Sequence, residues 1–388
     1  MNTLKITFIT LLFIFSSENI LSNNKTNKDR KLFFPNIDDY QTLISDLHQH
    51  TVFSDGLVWP SIRVDEAIYD GVDVISMTEH LEYQPHLEDI PHLDRNRAYH
   101  LTKRYADNFN SNIENENKLV VLNGQEITRS MPPGHINAVF IEDANTLLHD
   151  DSLSGILEAN KQKAFLFWNH PAWSAQRSDG IARLDEFHNF LISNNYLHGI
   201  EVVNEIYYSE EAFQIALDNN LTIMGNSDVH GLIDWTFEIP KYGHRPVTLI
   251  FSKSKKLSDI KNALFDGRTV VYYNDLLIGK EANLKPLIEK SIEVSIMGKV
   301  NQGYSEDGES SILSIEIKNN CSADLILENL TNFTFEKNAD IFTIKGLDSI
   351  TLRAKVGDKK MSKFLKFKIL NALIEPKKYL EVEFPTGI

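Results

Sequence analysis

The chain has 388 residues, 42% of them hydrophobic and 24% charged, so it is a globular protein long enough for two domains. Its formal net charge of −15 excludes an extended nucleic-acid surface, because phosphate backbones are held mainly by neutralising Lys and Arg; a small anion held locally by metal ions stays compatible. A single cysteine, Cys321, excludes any disulfide within the chain and any lipid-attachment cysteine near its start.

Residues 1–22 read as a secretory signal peptide, with an early Lys5, an apolar run from Ile6 to Phe15, and Ser16, Ser17 and Ser22 near the cleavage region. The run is short for a bilayer span, and no later stretch reaches spanning length, so no transmembrane span is expected after cleavage. An uncleaved N-terminal anchor is the other reading. Export without disulfides suits a bacterial periplasm or exterior, so the expected location is secreted or periplasmic. Residues 23–39, polar and then bounded by Pro35, read as a tether.

From residue 40 to 287 the chain alternates short β-branched runs with amphipathic helical stretches, the signature of a βα architecture. The first strand, "YQTLISDL", runs into "DLHQHTVFSDG", where His48 and His50 at i and i+2 project from one strand face and Asp55 follows. "WPSIRVDEAIYDG" reads as a helix with Pro60 at its start, Val64, Ala67 and Ile68 on one face, and Gly71 as its stop. "VDVISM" then ends in Thr78-Glu79-His80. Further strands are "LVVLNGQEIT", "INAVFI", "AFLFWNHP", "GIEVVNE" and "LTIMGNSDVH", with helices such as "SLSGILEANKQ" and "SEEAFQIALDNN" between them. Several strands close on a carboxylate or an imidazole. Groups gathered at the C-terminal ends of successive parallel strands share one mouth in a βα barrel.

The candidate metal ligands are therefore His48, His50, Asp55, His80, Glu126, His135, His170, Asp228 and His230. Each alone has a plain structural explanation: Glu126 as a buried acid paired to an arginine, His170 capping a turn, Asp228 as a helix N-cap. Together they are nitrogen and oxygen donors suited to divalent Mn, Zn or Fe, and no cysteine is offered. That is the donor chemistry of a hydrolytic Lewis-acid site rather than a structural zinc cage.

At these residues the chain resembles the polymerase and histidinol phosphatase (PHP) family of metal-dependent phosphoesterases, through "HQHTVFSDG", "TEH", "EIT", "GHINAVF", "WNHP" and "GNSDVHG" in the family's order. The resemblance implies a distorted (β/α)7 barrel with three divalent metal ions at its mouth. It also implies that His48, His50, Glu126 and Asp228 hold the first metal, that Glu126 bridges to a second held by His135 and His170, and that Asp55, His80 and His230 hold the third. One departure is that some members carry histidine one position after Asp55, where this chain has Gly56. "EYQPHLEDIPHLDRNRAYH", "EITRSMPPGH" and "HRPVTL" are similar to a secreted subgroup associated with phosphodiesterase activity. His86, His92 and His100 in the first of these loops read as lid or surface residues.

Metals that share Glu126 can lower the pKa of a water and orient it for in-line attack on phosphorus, so no protein nucleophile is needed. The chain carries no P-loop, no GxSxG elbow and no Cys/His pair in a supporting context. Arg95, Arg97, Arg129, Arg177 and Arg245 lie in loops near the ligand motifs, and guanidinium forks match phosphate oxygens. Arg245 and Arg95 are expected to face the substrate beside Glu126 and Asp228; the alternative for each is an ion pair within this acidic chain. Trp173, three residues past His170, is expected to wall a leaving-group pocket or to belong to the core.

Residues 288–388 read as short alternating strands, "SIEVSIM", "SILSIEIKN", "FTIKGL", "SITLRAKV" and "KYLEVEF", separated by Asn, Gly, Asp and Lys turns. They predict a small immunoglobulin-like β-sandwich without histidine, a packing module or the seat of a homo-oligomer. The expected function is a secreted metal-dependent phosphoesterase acting on a small phosphate ester, a phosphodiester by first choice. A histidinol-phosphatase-like phosphomonoesterase is the alternative within the enzyme class, and a non-catalytic, metal-stabilised binding protein is the alternative outside it.

Overall fold

The computed structural model describes residues 30–111, 113–114, 117–128, 130–237, 239, 243–300, 312–355 and 364–385. The signal-peptide expectation and Arg129 lie outside them. Among the described residues no helix is long and apolar enough to cross a membrane.

The first part of the chain forms β1 (Gln41–Asp46), β2 (Val74–Met77), β3 (Val120–Ile127), β4 (Ile136–Val139), β5 (Phe165–Trp168), β6 (Gly199–Asn204), β7 (Tyr207–Tyr208), β8 (Thr222–Asn226), β9 (Val247–Ser252), β10 (Thr269–Tyr273) and β11 (Leu276–Ile278). Between and after them lie α1 (Pro60–Asp70), α2 (Arg97–Asn110), α3 (Ser152–Lys161), α4 (Glu186–Ser193), α5 (Glu210–Asp218), α6 (Leu257–Phe265) and α7 (Glu281–Ser291). Strands β2, β5 and β6 are buried along their whole length, as strands covered on both faces must be.

Local signals place the helices. Helix α1 has Pro60 in its first turn and ends on Gly71 at φ 72°, a left-handed stop that glycine adopts without a Cβ penalty. Ser209 and Asp151 accept the Ala212 and Ser154 amides at the starts of α5 and α3. Helix α2 was not legible, because the face it buries is Ala98, Thr102, Ala106 and Asn110, small and polar residues that leave no apolar stripe.

The central sheet runs β11-β10-β9-β1-β2-β3-β4-β5-β6, with β8 beside β6. This corrects the expected (β/α)7 barrel: β4, β9 and β10 are antiparallel to neighbours, so the sheet is mixed, and no strand ladder joins β8 to β1. Side chains and single bonds lace those two strands instead. The Leu47 amide donates to Asn226 Oδ1 at 2.9 Å, the Asp228 amide to the His48 carbonyl at 2.9 Å, and the His50 amide to the Val229 carbonyl at 3.0 Å. The curl brings both histidine-bearing ends to one mouth without closing the sheet.

The expected tether is also corrected from Arg30 onward. Phe34 and Ile37 are buried in the core, Arg30 reaches Asp70 and Asp234, and Phe33 exchanges hydrogen bonds with Ser322. Apolar side chains bury this segment, at about 1.5–3 kcal/mol each.

The second part adds β12 (Ile292–Lys299), β13 (Ile312–Asn319), β14 (Leu325–Asn329), β15 (Thr334–Phe335), β16 (Ile341–Ile344), β17 (Ser349–Lys355), β18 (Phe364–Glu375) and β19 (Lys378–Pro385). One layer is β12-β13-β17-β15; the other is β16-β14-β18 with β19 beside β18. Phe335 of one layer meets Phe342 of the other edge-on at 5.7 Å, inside the expected sandwich. The 287/288 boundary falls within α7, which runs straight into β12. Strand β18 pairs in parallel with β11, Leu277 opposite Ala372, so the sandwich extends the central sheet and shares its core.

Candidate metal centre

All nine predicted ligands converge at one end of the central sheet. His48, His50 and Asp55 follow β1, His80 follows β2, Glu126 lies in β3, His170 follows β5, and Asp228 and His230 follow β8. His135 precedes β4, and because β4 is antiparallel to β3 its start lies beside the Glu126 end, Ile127 opposite Ile136.

Glu126 is the hub. Its Oε2 lies 2.9 Å from His80 Nδ1, 3.3 Å from His50 Nε2 and 3.5 Å from His48 Nε2, while Oε1 lies 3.0 Å from His135 Nδ1 and 3.5 Å from His170 Nε2. Asp228 Oδ1 is 3.1 Å from both His48 Nε2 and His50 Nε2. Asp55 reaches His230 at 3.2 Å and His80 at 3.4 Å. The donor atoms form four groups, each within 4.8 Å: His48, His50 and Glu126; His80, Glu126 and His135; His48, His170 and Asp228; and His50, Asp55, His80 and His230. His170 groups with His48 and Asp228, and His135 with His80, a redistribution of the set implied by the resemblance.

Gly56 explains the departure at that position. A Cβ there would sit 2.6 Å from the His50 carbonyl carbon and the Thr51 nitrogen, so a histidine cannot enter without moving the ligand loop. Asp55 takes the place beside His80 and His230. Asp228 and His170 occupy the left-handed region at φ 50° and 29°, a conformation that non-glycine residues hold only where surroundings impose it.

Residues outside the predicted set impose it. Glu201 is fully buried; Oε1 receives His48 Nδ1 and Asn226 Nδ2 at 2.9 Å, and Oε2 receives the His170 amide at 2.9 Å and Asn204 Nδ2 at 2.8 Å. Arg63, also fully buried, donates to the His50, Val229 and His230 carbonyls and pairs with Glu66. Glu79 accepts the Thr51 amide and the Thr51 and Ser54 hydroxyls, holding the loop between His50 and Asp55. Two of these had a readable signal, an acid within the buried run "GIEVVNE" and an arginine on the core side of an amphipathic helix.

The electrostatics divide the imidazoles: against burial, the neighbouring carboxylates raise His48 and His230 and bring His80 to about 11. Burial, with His230 next, lowers His50 to about 3, so its ring is neutral and offers a lone pair. Burial raises Glu126 and Asp228, but the surrounding imidazoles outweigh it and hold both carboxylates well down, ionised. His48 Nε2, His50 Nε2, Asp55 Oδ1 and Glu126 Oε2 are buried without a hydrogen-bond partner. Buried polar atoms are ordinarily satisfied, so nitrogen and oxygen donors left facing one another fit a divalent cation, whether Mn, Zn or Fe.

A cavity of about 590 Å³ opens over these groups, lined also by Trp173, Glu205, Tyr207 and Tyr208. Trp173 walls it as expected, edge-on to His170 at 5.1 Å and His135 at 5.5 Å. The arginine expectation is corrected. Arg245 is buried to 1% exposure, paired with Asp70 at 2.7 Å and Asp46 at 3.2 Å, and no substrate reaches it. Arg95 is spent on the Leu81 carbonyl and Gln84, and Arg177 on Asp185 and the Arg183 carbonyl. Arg97 lies exposed at the start of α2, and among the described residues no arginine lines the cavity; neither do His86, His92 or His100.

Comparisons place these features among known proteins. The Ig-like domain family matches residues 299–385. No curated protein matches the chain. Among solved structures, a two-domain protein from Bacteroides vulgatus containing a predicted PHP-like metal-dependent phosphoesterase is 36% identical, with a TM-score of 0.82 over 92% of this chain and 98% of that one. A Bifidobacterium adolescentis protein proposed as a metal-dependent phosphoesterase is 15% identical, with a TM-score of 0.37 over 50% of this chain and 90% of that one.

Proposed function

Since the chain belongs to the PHP-like metal-dependent phosphoesterases, we propose that it is an exported phosphodiesterase that hydrolyses small organic phosphodiesters. The observation that carries this reading is the sharing of Glu126 between donor groups at the floor of the cavity. Three divalent ions held by the nine donors would supply Lewis acidity and lower the pKa of the attacking water.

The chain's own residues build the surroundings. Glu126 and Asp228 stay anionic and gather the imidazoles, and Glu201 turns His48 so that Nε2 faces them. The chemistry calls for no side-chain nucleophile: Cys321 is buried in the sandwich, and Ser209 is bound to the start of α5. Water adds to phosphorus, the P–O bond to one alcohol breaks, and that alcohol leaves with the proton. A cavity of about 590 Å³ is larger than a phosphate group and supports a substrate substituted on both sides. Export is supported by the apolar run Ile6 to Phe15 and by the single cysteine.

The test is steady-state hydrolysis of bis(p-nitrophenyl) phosphate and p-nitrophenyl phosphate by protein reconstituted with Mn or Zn. A diester preference is expected. A monoester preference makes the protein a phosphatase, and silence on both with metal bound leaves a binding protein.

A further inference from the structure

The cavity wall carries one carboxylate outside the donor groups and the residues that support them. Five carboxylates line the cavity: Asp55, Glu126, Glu201, Glu205 and Asp228. Three stand in the donor groups, and Glu201 is saturated by His48, His170, Asn204 and Asn226. Among the described residues the Glu205 carboxylate has neither a hydrogen bond nor an ion pair. Glu205 sits in the β6–β7 turn at φ 50°, its amide tied to the Asn226 carbonyl at 3.2 Å, so the turn is pinned to the end of β8. Tyr207, 66% exposed, and Trp173, 47% exposed, line the same cavity. Among the described residues no lysine or arginine lines this cavity.

We infer that this wall receives the cationic substituent of the substrate, a phosphate ester carrying an alkylammonium group, seated against Trp173, Tyr207 and the Glu205 carboxylate. The inference rests on the phosphoesterase reading and names its substrate class. A half-buried, unpaired carboxylate repels a substituent that is itself anionic, and an apolar substituent would strip its water and return nothing. An ammonium group satisfies the carboxylate and is attracted to the faces of Trp and Tyr. The phosphate at the donor groups and the cation beside Glu205 then share one cavity.

The experiment compares two diesters, p-nitrophenyl phosphorylcholine and p-nitrophenyl 3,3-dimethylbutyl phosphate, which differ in replacing the quaternary nitrogen by carbon. The metal-reconstituted protein is expected to favour the choline ester by about tenfold in kcat/KM. Glu205→Gln is expected to lower kcat/KM for the choline ester about tenfold more than for its carbon analogue, and tetramethylammonium is expected to inhibit competitively in the parent only. No preference in the parent, or equal loss on both esters in the variant, overturns the inference, the second outcome assigning Glu205 to the reaction itself. Turnover of bis(p-nitrophenyl) phosphate without a choline preference removes this inference and keeps the phosphoesterase; silence on every ester removes both.

Discussion

Glu201 holds His48 by its outward ring nitrogen: Oε1 lies 2.9 Å from Nδ1, which leaves Nε2 to face Glu126 and Asp228. The same carboxylate receives the His170 amide, so one buried acid orients a candidate donor after β1 and the backbone of another after β5. Glu201→Gln keeps the volume but replaces an accepting oxygen by a donating amide. Metal affinity is expected to fall about 10–100-fold with the circular dichroism unchanged, as read by chelator competition. Unaltered affinity would show that His48 keeps its orientation without this acid.

Glu126 touches five imidazoles and belongs to two donor groups. Glu126→Gln is expected to lower kcat on the order of 10³-fold and to reduce bound metal per chain, measured by elemental analysis beside p-nitrophenol release. Turnover within a few-fold of the parent would refute the shared role.

Arg245 belongs to a buried network in which Asp46 also holds Ser227 and Asp70 also holds Arg30. Arg245→Met leaves Asp46 without its cation and Asp70 with Arg30 alone, and a loss of about 3–5 kcal/mol in urea unfolding is expected. A stable variant with reduced kcat/KM would instead return this residue to the active site.

His188 and His198 make the protein acid-sensitive away from the metal centre. Each accepts a backbone amide at Nδ1, from Asp185 and Leu166 respectively, and donates Nε2–H to a carbonyl, of Pro133 and Asn195. That pattern requires the neutral ring, and burial lowers both to about 4. The unfolded chain, titrating near pH 6.5, binds more protons between pH 4 and 6.5, so their contribution is complete above pH 6.5 and is lost as pH falls toward 4. The loss is on the order of 2–3 kcal/mol per histidine. Urea midpoints should decline from pH 7 to pH 5, and His188→Gln should flatten the decline; a midpoint independent of pH would refute the neutral assignment.

The cluster of possible donors was legible because most of its members abut a short apolar run, and a run followed by an imidazole or carboxylate marks the end of a strand. Arg245 misled for the opposite reason. "HRPVTL" looks like a loop arginine beside a strand, and only packing reveals that Asp46 and Asp70, distant in sequence, enclose it. Helix α2 escaped because it buries small and polar residues, whereas β18 carried a readable signal, Leu365, Phe367 and Ile369 alternating with Lys366 and Lys368.

By itself, then, the sequence determined which atoms could bind metal, the βα order that brings them to one end of a sheet, and the β-rich character of the last hundred or so residues. Those properties are local, set by residue chemistry and by periods of two and 3.6 residues. Tertiary structure alone decided that β4, β9 and β10 run antiparallel, that β18 joins the sandwich to the central sheet, that Glu201 and Arg63 support the ligands, and that Glu205 is left facing the cavity. Strand direction and the pairing of buried charges depend on which distant segments become neighbours, and no window of sequence contains both partners.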